Sequence, residues 1–185
     1  MTRNILLFAA AAVFAAGAAL AQTPAANPKV LLKTTMGDIT LELYPAKAPI
    51  TVKNILDYVN AKHYDGLVFH RVIPGFMIQC GGYTADMHEK ATNPPIKNES
   101  GNGLTNARGT VAMARTQDLD SATSQFYINL VDNPRLDEMK YCSFGKVVAG
   151  MDVVDAIAQV QTGSKRGHQN VPLETITILS ATVVK

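Results

Sequence analysis

One stretch near the middle of the chain reads Phe69-His70-Arg71-Val72-Ile73-Pro74-Gly75-Phe76-Met77-Ile78-Gln79. Pro-Gly is typical of turns, and the apolar runs 68–72 and 76–79 on either side of it predict two short neighbouring strands. Because side chains alternate across a strand, Arg71 shares a face with Phe69, and Met77 shares a face with Gln79. The stretch therefore predicts a guanidinium and a carboxamide among apolar side chains on adjoining strands.

Arg71 needs an explanation in so apolar a setting. Removing a guanidinium from water without a partner is costly, so it must meet a carboxylate, backbone carbonyls or a ligand. Two interpretations stay open at this point: a structural ion pair in the wall of a sheet, or a functional group that faces a ligand. The pattern of this stretch alone favours the ion pair slightly.

A second stretch supplies polar side chains that can reach the same place. Met113-Ala114-Arg115 ends a predicted strand at 110–114, and Ser124-Gln125-Phe126-Tyr127-Ile128-Asn129 opens the next one. Alternation puts Gln125 and Tyr127 on one face of that strand. Both side chains can then point where Arg71 points.

The remaining pattern is one of short strands with two helices. Further runs of β-forming residues lie at 30–34, 38–43, 125–131, 144–148 and 173–184. Apolar residues at helical spacing predict helices around Val52, Ile55, Leu56 and Val59 and over 151–160. The strands are too close in sequence for parallel crossovers, so the fold class is mainly β and antiparallel. The pattern alone does not separate a sandwich from a closed barrel.

The composition is that of a globular protein, with 47% hydrophobic residues in 185 and a formal charge of +2. That charge balance argues against nucleic acid or an anionic membrane as a partner. The segment 81–105 contains few aliphatic residues and several Asn, Gly and Pro. A loop of this length inside a domain is uncommon and usually functional.

The N-terminus has the features of an export signal. Arg3 precedes an uncharged apolar run from Ile5 to Leu20, and Ala19-Leu20-Ala21 matches a cleavage pattern of small residues. The run is short for a membrane span, which favours a cleaved signal over a retained anchor. We predict a signal peptide over 1–21, a flexible lead-in over 22–28 and one domain over 29–185. The protein is then periplasmic or secreted, with no membrane association after cleavage.

The two cysteines, Cys80 and Cys142, lie in apolar strand-like runs without CxxC spacing. Buried free thiols are the favoured interpretation, with a disulfide in an oxidising compartment as the open alternative. The four histidines show no metal-ligand spacing with the cysteines. No metal and no cofactor is predicted.

Four motifs occur in order along the chain: FHRVIPGFMIQ at 69–79, GTVAMAR at 109–115, SATSQFYIN at 121–129 and FGKVVAGMDVVDAI at 144–157. With these motifs the chain resembles the cyclophilins, a family of peptidyl-prolyl cis-trans isomerases, and most of all their exported bacterial members. The resemblance runs from about residue 29 to the C-terminus. It implies a closed eight-stranded antiparallel β-barrel capped by two α-helices, with the active site in a groove on the outside of the barrel.

The same resemblance implies the function and its residues. The activity is isomerisation of X-Pro peptide bonds by a monomer that assists the folding of exported, proline-containing polypeptides, with Arg71 as the catalytic residue. The implied proline pocket is lined by Phe76, Met77, Tyr127 and Leu136. Further implied substrate contacts are His70, Gln79, Ala114, Arg115, Gln125, Phe126 and Tyr141. Among these, the backbone near Ala114 and Arg115 holds the residue before proline.

The chain departs from the family pattern at three positions. Cys80 stands where a glycine is common, so we expect an added side chain near the groove. Tyr127 replaces a frequent Phe, and its hydroxyl needs a partner or water. Arg135 lies near the position of a Trp that the animal enzymes use to bind cyclosporin. The chain has no Trp, and we expect low sensitivity to that drug.

Two other functions compete with the isomerase. A cyclophilin-like groove can hold proline-containing segments without turnover, but the intact Arg71, Phe76 and Gln79 favour turnover. A secreted hydrolase is the weaker alternative, because Ser124 and His70 lie outside a G-x-S-x-G context.

Overall fold

The computed structural model describes residues 26–184. The predicted signal peptide and the first part of the lead-in lie outside the described residues. The described chain forms these elements in order: β1 (Lys29–Thr34), β2 (Gly37–Leu43), α1 (Pro49–Asn60), β3 (Arg71–Ile73), β4 (Met77–Cys80), β5 (Thr110–Met113), β6 (Phe126–Asn129), α2 (Pro134–Glu138), β7 (Ser143–Ala149), α3 (Met151–Ala158), β8 (Thr162–Lys165), β9 (His168–Pro172) and β10 (Ile178–Val184).

Eight of these strands form one antiparallel sheet in the order β10-β1-β2-β7-β5-β6-β4-β3. The turn that joins β3 to β4 contains Gly75 at a φ of +70°, a conformation that glycine adopts without steric cost. The predicted Pro74-Gly75 turn is therefore confirmed. Arg71 pairs directly with Gln79 across this hairpin. The predicted shared face of Phe69 and Arg71 is wrong, because Phe69 precedes β3 and is buried in the core.

The sheet curls until its two ends meet, but the last contact is not made by a strand pair. The segment before β3 reaches the segment before β10 through one isolated bridge, Val68 with Thr177. Phe69 N donates to Ile176 O at 3.0 Å, and Ile178 N donates to Leu67 O at 2.8 Å. The expected eight-stranded antiparallel sheet is confirmed. The expectation of a closed barrel is slightly overstated, because only this bridge and these hydrogen bonds join the two ends of the sheet.

Side-chain alternation gives the sheet two apolar faces. Ile78, Phe126 and Ile128 point into the interior, and Val52 and Ile55 of α1 together with Val154 and Ile157 of α3 complete that core. The adjacent positions Met77, Ala112 and Tyr127 point outward and form a second cluster with Leu136 of α2. The outer cluster is the only part of the described apolar packing that lies on the outside of the sheet, and it becomes the floor of a groove.

The main differences between the structure and the sequence prediction concern two strands, one hairpin and one short helix. In place of the strand predicted at 68–72 the structure has a shorter one at Arg71–Ile73, and the strand predicted at 173–184 begins only at Ile178. A separate β8–β9 hairpin and the short helix α2 were not predicted. Both were missed for the same reason: α2 has five residues, and β8 consists of Thr-Gly-Ser-Lys, so neither shows an apolar period.

The long loop 81–105 contacts the N-terminal end of α1. Backbone N–H groups at a helix N-terminus lack intrahelical partners, and the Glu99 carboxylate accepts hydrogen bonds from Ile50 N at 3.1 Å and Thr51 N at 2.8 Å. The Thr51 hydroxyl donates to the same carboxylate. This loop therefore caps α1 from a distance. Within residues 26–184, no helix has the length and apolar character needed to span a bilayer.

Candidate active site

A groove of about 480 Å³ lies on the outer face of the sheet, above the outer apolar cluster. Its floor consists of Met77 of β4, Tyr127 of β6 and Leu136 of α2, with Phe76 and Tyr141 packed against them. The strands supply this floor because every second residue of β4 and β6 faces outward. The residues that line the whole groove are His70, Arg71, Phe76, Met77, Gln79, Tyr83, Ala114, Arg115, Gln125, Tyr127, Leu136, Tyr141, Gly167, His168, Gln169 and Asn170.

A chain of amide side chains runs along the groove and ends at Arg71. Gln125 Oε1 accepts a hydrogen bond from Gln79 Nε2 at 3.0 Å, and Gln79 Oε1 accepts one from Arg71 Nη1 at a long 3.4 Å. At the far end, Gln125 Nε2 lies 3.5 Å from the exposed carboxylate of Glu89. The two glutamines therefore orient the guanidinium through neutral groups.

No carboxylate pairs with Arg71 in the described chain, where the salt bridges are Lys53–Asp57, His88–Asp86 and Arg108–Asp155. Within the described part of the chain, the groove lining contains two arginines and two histidines but no Asp or Glu. Arg71 is half-buried, so most of its donors remain available to a ligand. The structural ion pair that the pattern alone slightly favoured is absent among residues 26–184.

His70 is 4% exposed and lies beside Arg71, with its ring packed on Tyr83 at a centroid distance of 4.7 Å. Burial lowers the pKa of His70 to about 4, and the nearby charges of His168 and Arg71 act in the same direction. The imidazole is therefore neutral at physiological pH. It adds no charge that would compete with the guanidinium.

Tyr127 finds the partner that its hydroxyl needs. The hydroxyl donates to Asn106 Oδ1 at 2.8 Å, and Asn106 is 1% exposed. The carboxamide of Asn106 in turn donates to Asp137 Oδ1 at 2.7 Å and to the backbone oxygen of Tyr141 at 3.2 Å. One buried asparagine thus ties the floor of the groove to its rim.

Arg115 is held by backbone groups and an aromatic face. Its Nη1 donates to Thr116 O at 2.8 Å, its Nη2 donates to Met139 O, and its guanidinium lies 4.3 Å from the Tyr141 ring centroid. A cation over an aromatic face stabilises both groups. Ala114 N donates to Gln125 O at 3.0 Å, which fixes the chain at this end of the groove.

The similarity of this chain to a known protein family identifies the fold and the groove. Residues 29–183 match the model described as cyclophilin type peptidyl-prolyl cis-trans isomerase/CLD. The chain belongs to the cyclophilin family. The match covers all ten strands and three helices of the described chain except the last residue of β10.

Named relatives cover most of this cyclophilin. It is 57% identical over 160 residues to peptidyl-prolyl cis-trans isomerase A of Dickeya dadantii, covering 84% of each chain. It is 53% identical over 161 residues to peptidyl-prolyl cis-trans isomerase B of Escherichia coli, covering 83% of this chain and 98% of the relative. A third relative, from Acinetobacter baylyi, is 54% identical over 162 residues.

Solved structures share the fold. A cyclophilin type peptidyl-prolyl cis-trans isomerase of Cryptosporidium parvum matches with a TM-score of 0.73 at 24% identity, covering 86% of this chain and 98% of that one. A second structure, of that isomerase in the presence of dipeptide ala-pro, matches with a TM-score of 0.72. These structures support the eight-stranded architecture of this cyclophilin.

The cyclophilin groove brings together eleven of the twelve residues predicted for the site, all except Phe126. Phe126 is 1% exposed and faces the interior, where its ring packs edge-on against Tyr64. Alternation gives the reason, because Gln125 and Tyr127 on either side of it face outward. The prediction that Phe126 contacts substrate is corrected by this orientation.

Cys80 also faces the interior, against the expectation of an added side chain near the groove. It is fully buried in the core and alternates with the outward-facing Gln79. Cys80 and Cys142 are both buried free thiols, and burial raises the pKa of each. The glycine-to-cysteine change is therefore accommodated by the core.

Sequence reasoning missed three parts of the cyclophilin site. Asn106 gave no signal, because a lone Asn in a loop is ordinarily a turn residue. Tyr83 lies in the loop 81–105, for which no residue was named, and it lines the groove. The tip of the β8–β9 hairpin, residues 167–170, gave no signal either. No cluster of potential metal ligands occurs among residues 26–184.

The pKa of His70 predicts an acid-sensitive stability. The unfolded chain takes up a proton near pH 6.5, whereas the folded His70 stays neutral down to about pH 4. The contribution of His70 to the free energy of unfolding is therefore fully present above about pH 6.5 and is lost as the pH decreases toward 4. The loss between pH 7 and pH 5 is about 2 kcal/mol. The lowered pKa of His63 acts in the same direction. Urea unfolding at the two pH values measures this difference.

The matched variant is His70→Gln, which removes the titrating ring. We expect its stability to change less between pH 7 and 5 than that of the wild type, by about 2 kcal/mol. Asp86, whose pKa lies near 2, does not titrate in this window. An identical pH dependence in the variant and the wild type would contradict the assignment.

Proposed function

We propose that this cyclophilin accelerates rotation about X-Pro peptide bonds with Arg71 as the catalytic residue, and that it does so on exported proteins. Family membership and the named relatives support the activity. The observation that carries the role of Arg71 is its setting: a half-buried guanidinium that lines the groove and has no carboxylate partner in the described chain.

The chemistry of the X-Pro bond explains why an unpaired arginine is useful. Rotation is slow because the nitrogen lone pair is shared with the carbonyl, which creates a barrier of about 18–20 kcal/mol for an amide. In the twisted state the nitrogen regains its lone pair and can accept a hydrogen bond. A catalyst must stabilise this twisted state more than either planar form. Arg71 supplies a donor that remains charged at any physiological pH.

The magnitude of this contact limits what Arg71 can do alone. A hydrogen bond to a charged group contributes about 1.5–3 kcal/mol in net terms, which corresponds to about one or two powers of ten in rate. The rest must come from the apolar floor, which excludes water and strengthens the contact. Phe76, Met77, Tyr127 and Leu136 grip the proline ring in this proposal.

The other groove residues hold the polypeptide around that ring. Gln79 and Gln125 orient the guanidinium through the hydrogen bonds described above. Ala114 and Arg115, at the opposite end of the groove, hold the residue before proline through their backbone. His70 flanks the guanidinium as a neutral ring, and Tyr141 forms the rim. Substrates are then proline-containing polypeptides, recognised mainly by the ring.

Export is proposed from the N-terminal sequence. Arg3, the apolar run to Leu20 and the small residues Ala19 and Ala21 match a cleavable signal. A monomeric isomerase released into the periplasm or medium would meet unfolded exported chains. Isomerisation of X-Pro bonds takes tens of seconds without a catalyst, so such chains fold more slowly without help.

Expression of the full chain in a Gram-negative host tests the proposal. We expect the periplasmic fraction to contain a protein whose mass corresponds to a start at Gln22, because cleavage follows Ala21. Ala21→Asp, which disrupts the small-residue pattern, should leave uncleaved precursor. Recovery of the wild type only as full-length protein in the cytoplasm or membrane would contradict export.

The recovered protein should then accelerate the refolding of an exported protein whose slow phase is X-Pro isomerisation. The slow phase should shorten at catalytic amounts of enzyme. A protein that binds the unfolded chain without changing the slow phase would instead be a binding module, and the proposed function would be wrong.

A further inference from the structure

The β8–β9 hairpin forms a wall of the groove for which the roles above give no account. Its tip, Gly167, His168, Gln169 and Asn170, lines the same cavity as Arg71. β9 packs against β3, the strand that carries Arg71. The hairpin is therefore part of the groove and adjoins the catalytic strand.

The loop that follows β4 holds this hairpin in place. Lys165 Nζ donates to Ala85 O at 2.8 Å, and Arg166 Nη1 lies 3.4 Å from His88 Nε2. The rings of Tyr83 and His168 pack edge to face with centroids 4.8 Å apart. The hairpin is thus held by the loop after β4 and by β3, and its groove-lining side chains can take defined positions.

β9 has a bulge at Asn170. The register between β8 and β9 shifts between Gly163 and Lys165, so that Ser164 alone opposes Gln169 and Asn170. Asn170 has a φ of 60°, a left-handed conformation that asparagine tolerates better than most residues. Bulges beside active sites commonly re-aim a side chain. Here the bulge accompanies a half-buried asparagine that lines the groove.

The Asn170 carboxamide has no hydrogen-bond partner within residues 26–184, although it lies in the cavity wall. The neighbouring Gln169 is engaged, because its Oε1 accepts from Ser164 Oγ at 2.7 Å. A carboxamide offers two donors and one acceptor oxygen. An unengaged carboxamide on a left-handed backbone beside an active site is suited to a ligand.

The order of the elements shows which end of the groove Asn170 occupies. Ala114 follows β5, and the floor continues through β6 and β4 to β3 with Arg71, where β9 packs. If the residue before proline lies at Ala114, the polypeptide that follows proline leaves past Arg71 toward Asn170. The carboxamides of Gln79 and Asn170 line the groove together with Arg71 and can hydrogen-bond a peptide backbone.

We propose that Asn170 is a further substrate-contact residue whose carboxamide hydrogen-bonds the peptide backbone of the residues after proline. This inference rests on the proposed function and its direction of binding. A backbone contact favours proline inside an extended chain over proline at a chain end. It does so for any side chain that follows, which suits an enzyme with many substrates.

Asn170→Gly tests this role. Glycine adopts a positive φ freely, so the variant loses the carboxamide and keeps the bulge. Exchange NMR gives kcat/KM for two X-Pro peptides of identical sequence up to proline, one amidated directly after proline and one continued for three residues. For the longer peptide we expect a loss of about three- to tenfold, the range of one neutral hydrogen bond, mainly in KM. The shorter peptide should be unaffected.

Gln161→Ala is the matched control, since Gln161 is exposed, lies next to β8 outside the cavity and makes no side-chain hydrogen bond within residues 26–184. This variant should keep the wild-type ratio between the peptides. A loss in Asn170→Gly that is equal for both peptides, or absent for both, overturns the inference. If the wild type accelerates both peptides while the variant keeps the ratio, the inference alone fails. If the wild type accelerates neither peptide, the inference fails together with the proposed function.

Discussion

Arg71→Ala is expected to lower kcat/KM for an X-Pro peptide about 100-fold while the protein folds normally. The loss is large because the substitution removes the donor that stabilises the twisted nitrogen, and single preorganised donors in active sites contribute about that much. Stability should change little, since the Arg71 side chain makes only one long hydrogen bond, to Gln79, in the described chain. A protease-coupled assay measures the rate, and thermal unfolding measures the stability.

Two further arginine variants distinguish the loss of the Arg71 hydrogen-bond donor from the simple loss of a positive charge. Arg71→Lys keeps a positive charge but loses the planar fork, so we expect a partial loss of about tenfold. Arg108→Ala is the matched control, because Arg108 lies outside the groove and its Nη2 donates to both carboxylate oxygens of Asp155, at 2.9 and 2.8 Å. Its kcat/KM should equal that of the wild type. An equal effect of the Arg71 and Arg108 variants would contradict a catalytic role.

Asn106→Ala is expected to destabilise the protein by about 3 kcal/mol, or about 6–12 °C in melting temperature. The substitution leaves the buried Tyr127 hydroxyl without its acceptor and removes the donor to Asp137. Buried polar groups that lose a partner retain the full cost of their desolvation. Because the same side chain ties Tyr127 to the rim at Tyr141, kcat/KM at 10 °C should fall about tenfold as well.

Tyr127→Phe is the matched control for this network. It removes only the hydroxyl and keeps the ring in the groove floor, and Asn106 Oδ1 still accepts from Asn129 Nδ2 at 3.2 Å. We expect a stability loss of about 1 kcal/mol and a kcat/KM within about twofold of the wild type. If Asn106→Ala is as stable as the wild type, or no less stable than Tyr127→Phe, the network does not hold the pocket.

Period-two alternation predicted much of the outer face of the sheet from the sequence. Met77 with Gln79, and Gln125 with Tyr127, needed no more than strand geometry and the Pro74-Gly75 turn. The predicted shared face of Phe69 and Arg71 was wrong, because β3 begins only at Arg71 and Phe69 is buried in the core. The same rule, applied to Phe126, would have placed it inside. Its inclusion in the predicted site ignored the local alternation that the neighbouring assignments used.

The interpretation of Arg71 could not be settled by local pattern. Whether a guanidinium meets a carboxylate depends on segments distant in sequence, and any of the fifteen acidic residues was a candidate until the fold was known. Among residues 26–184, the groove that Arg71 faces has no Asp or Glu in its lining. The slight preference for an ion pair was therefore wrong, for a reason that only tertiary structure supplies.

Asn106, Tyr83 and Asn170 were unpredictable for a related reason. Each lies in a loop or a bulged strand where no periodic pattern fixes side-chain direction. Asn106 acquires its role from Tyr127 and Asp137, which are brought to it by β6 and α2. The departures at Cys80 and Tyr127 were noticed in the sequence, but their outcomes depended on which face of the sheet each residue occupies.

The central claim is that Arg71 acts on rotation and the apolar floor acts on binding. Exchange NMR on one X-Pro peptide, with wild type and Arg71→Ala each at a concentration that saturates the peptide, measures the two effects together. The account predicts a dissociation constant within about threefold of the wild type for the variant, with an exchange rate on the enzyme about 100-fold slower. Exchange at the wild-type rate in Arg71→Ala, with the peptide bound, would contradict it.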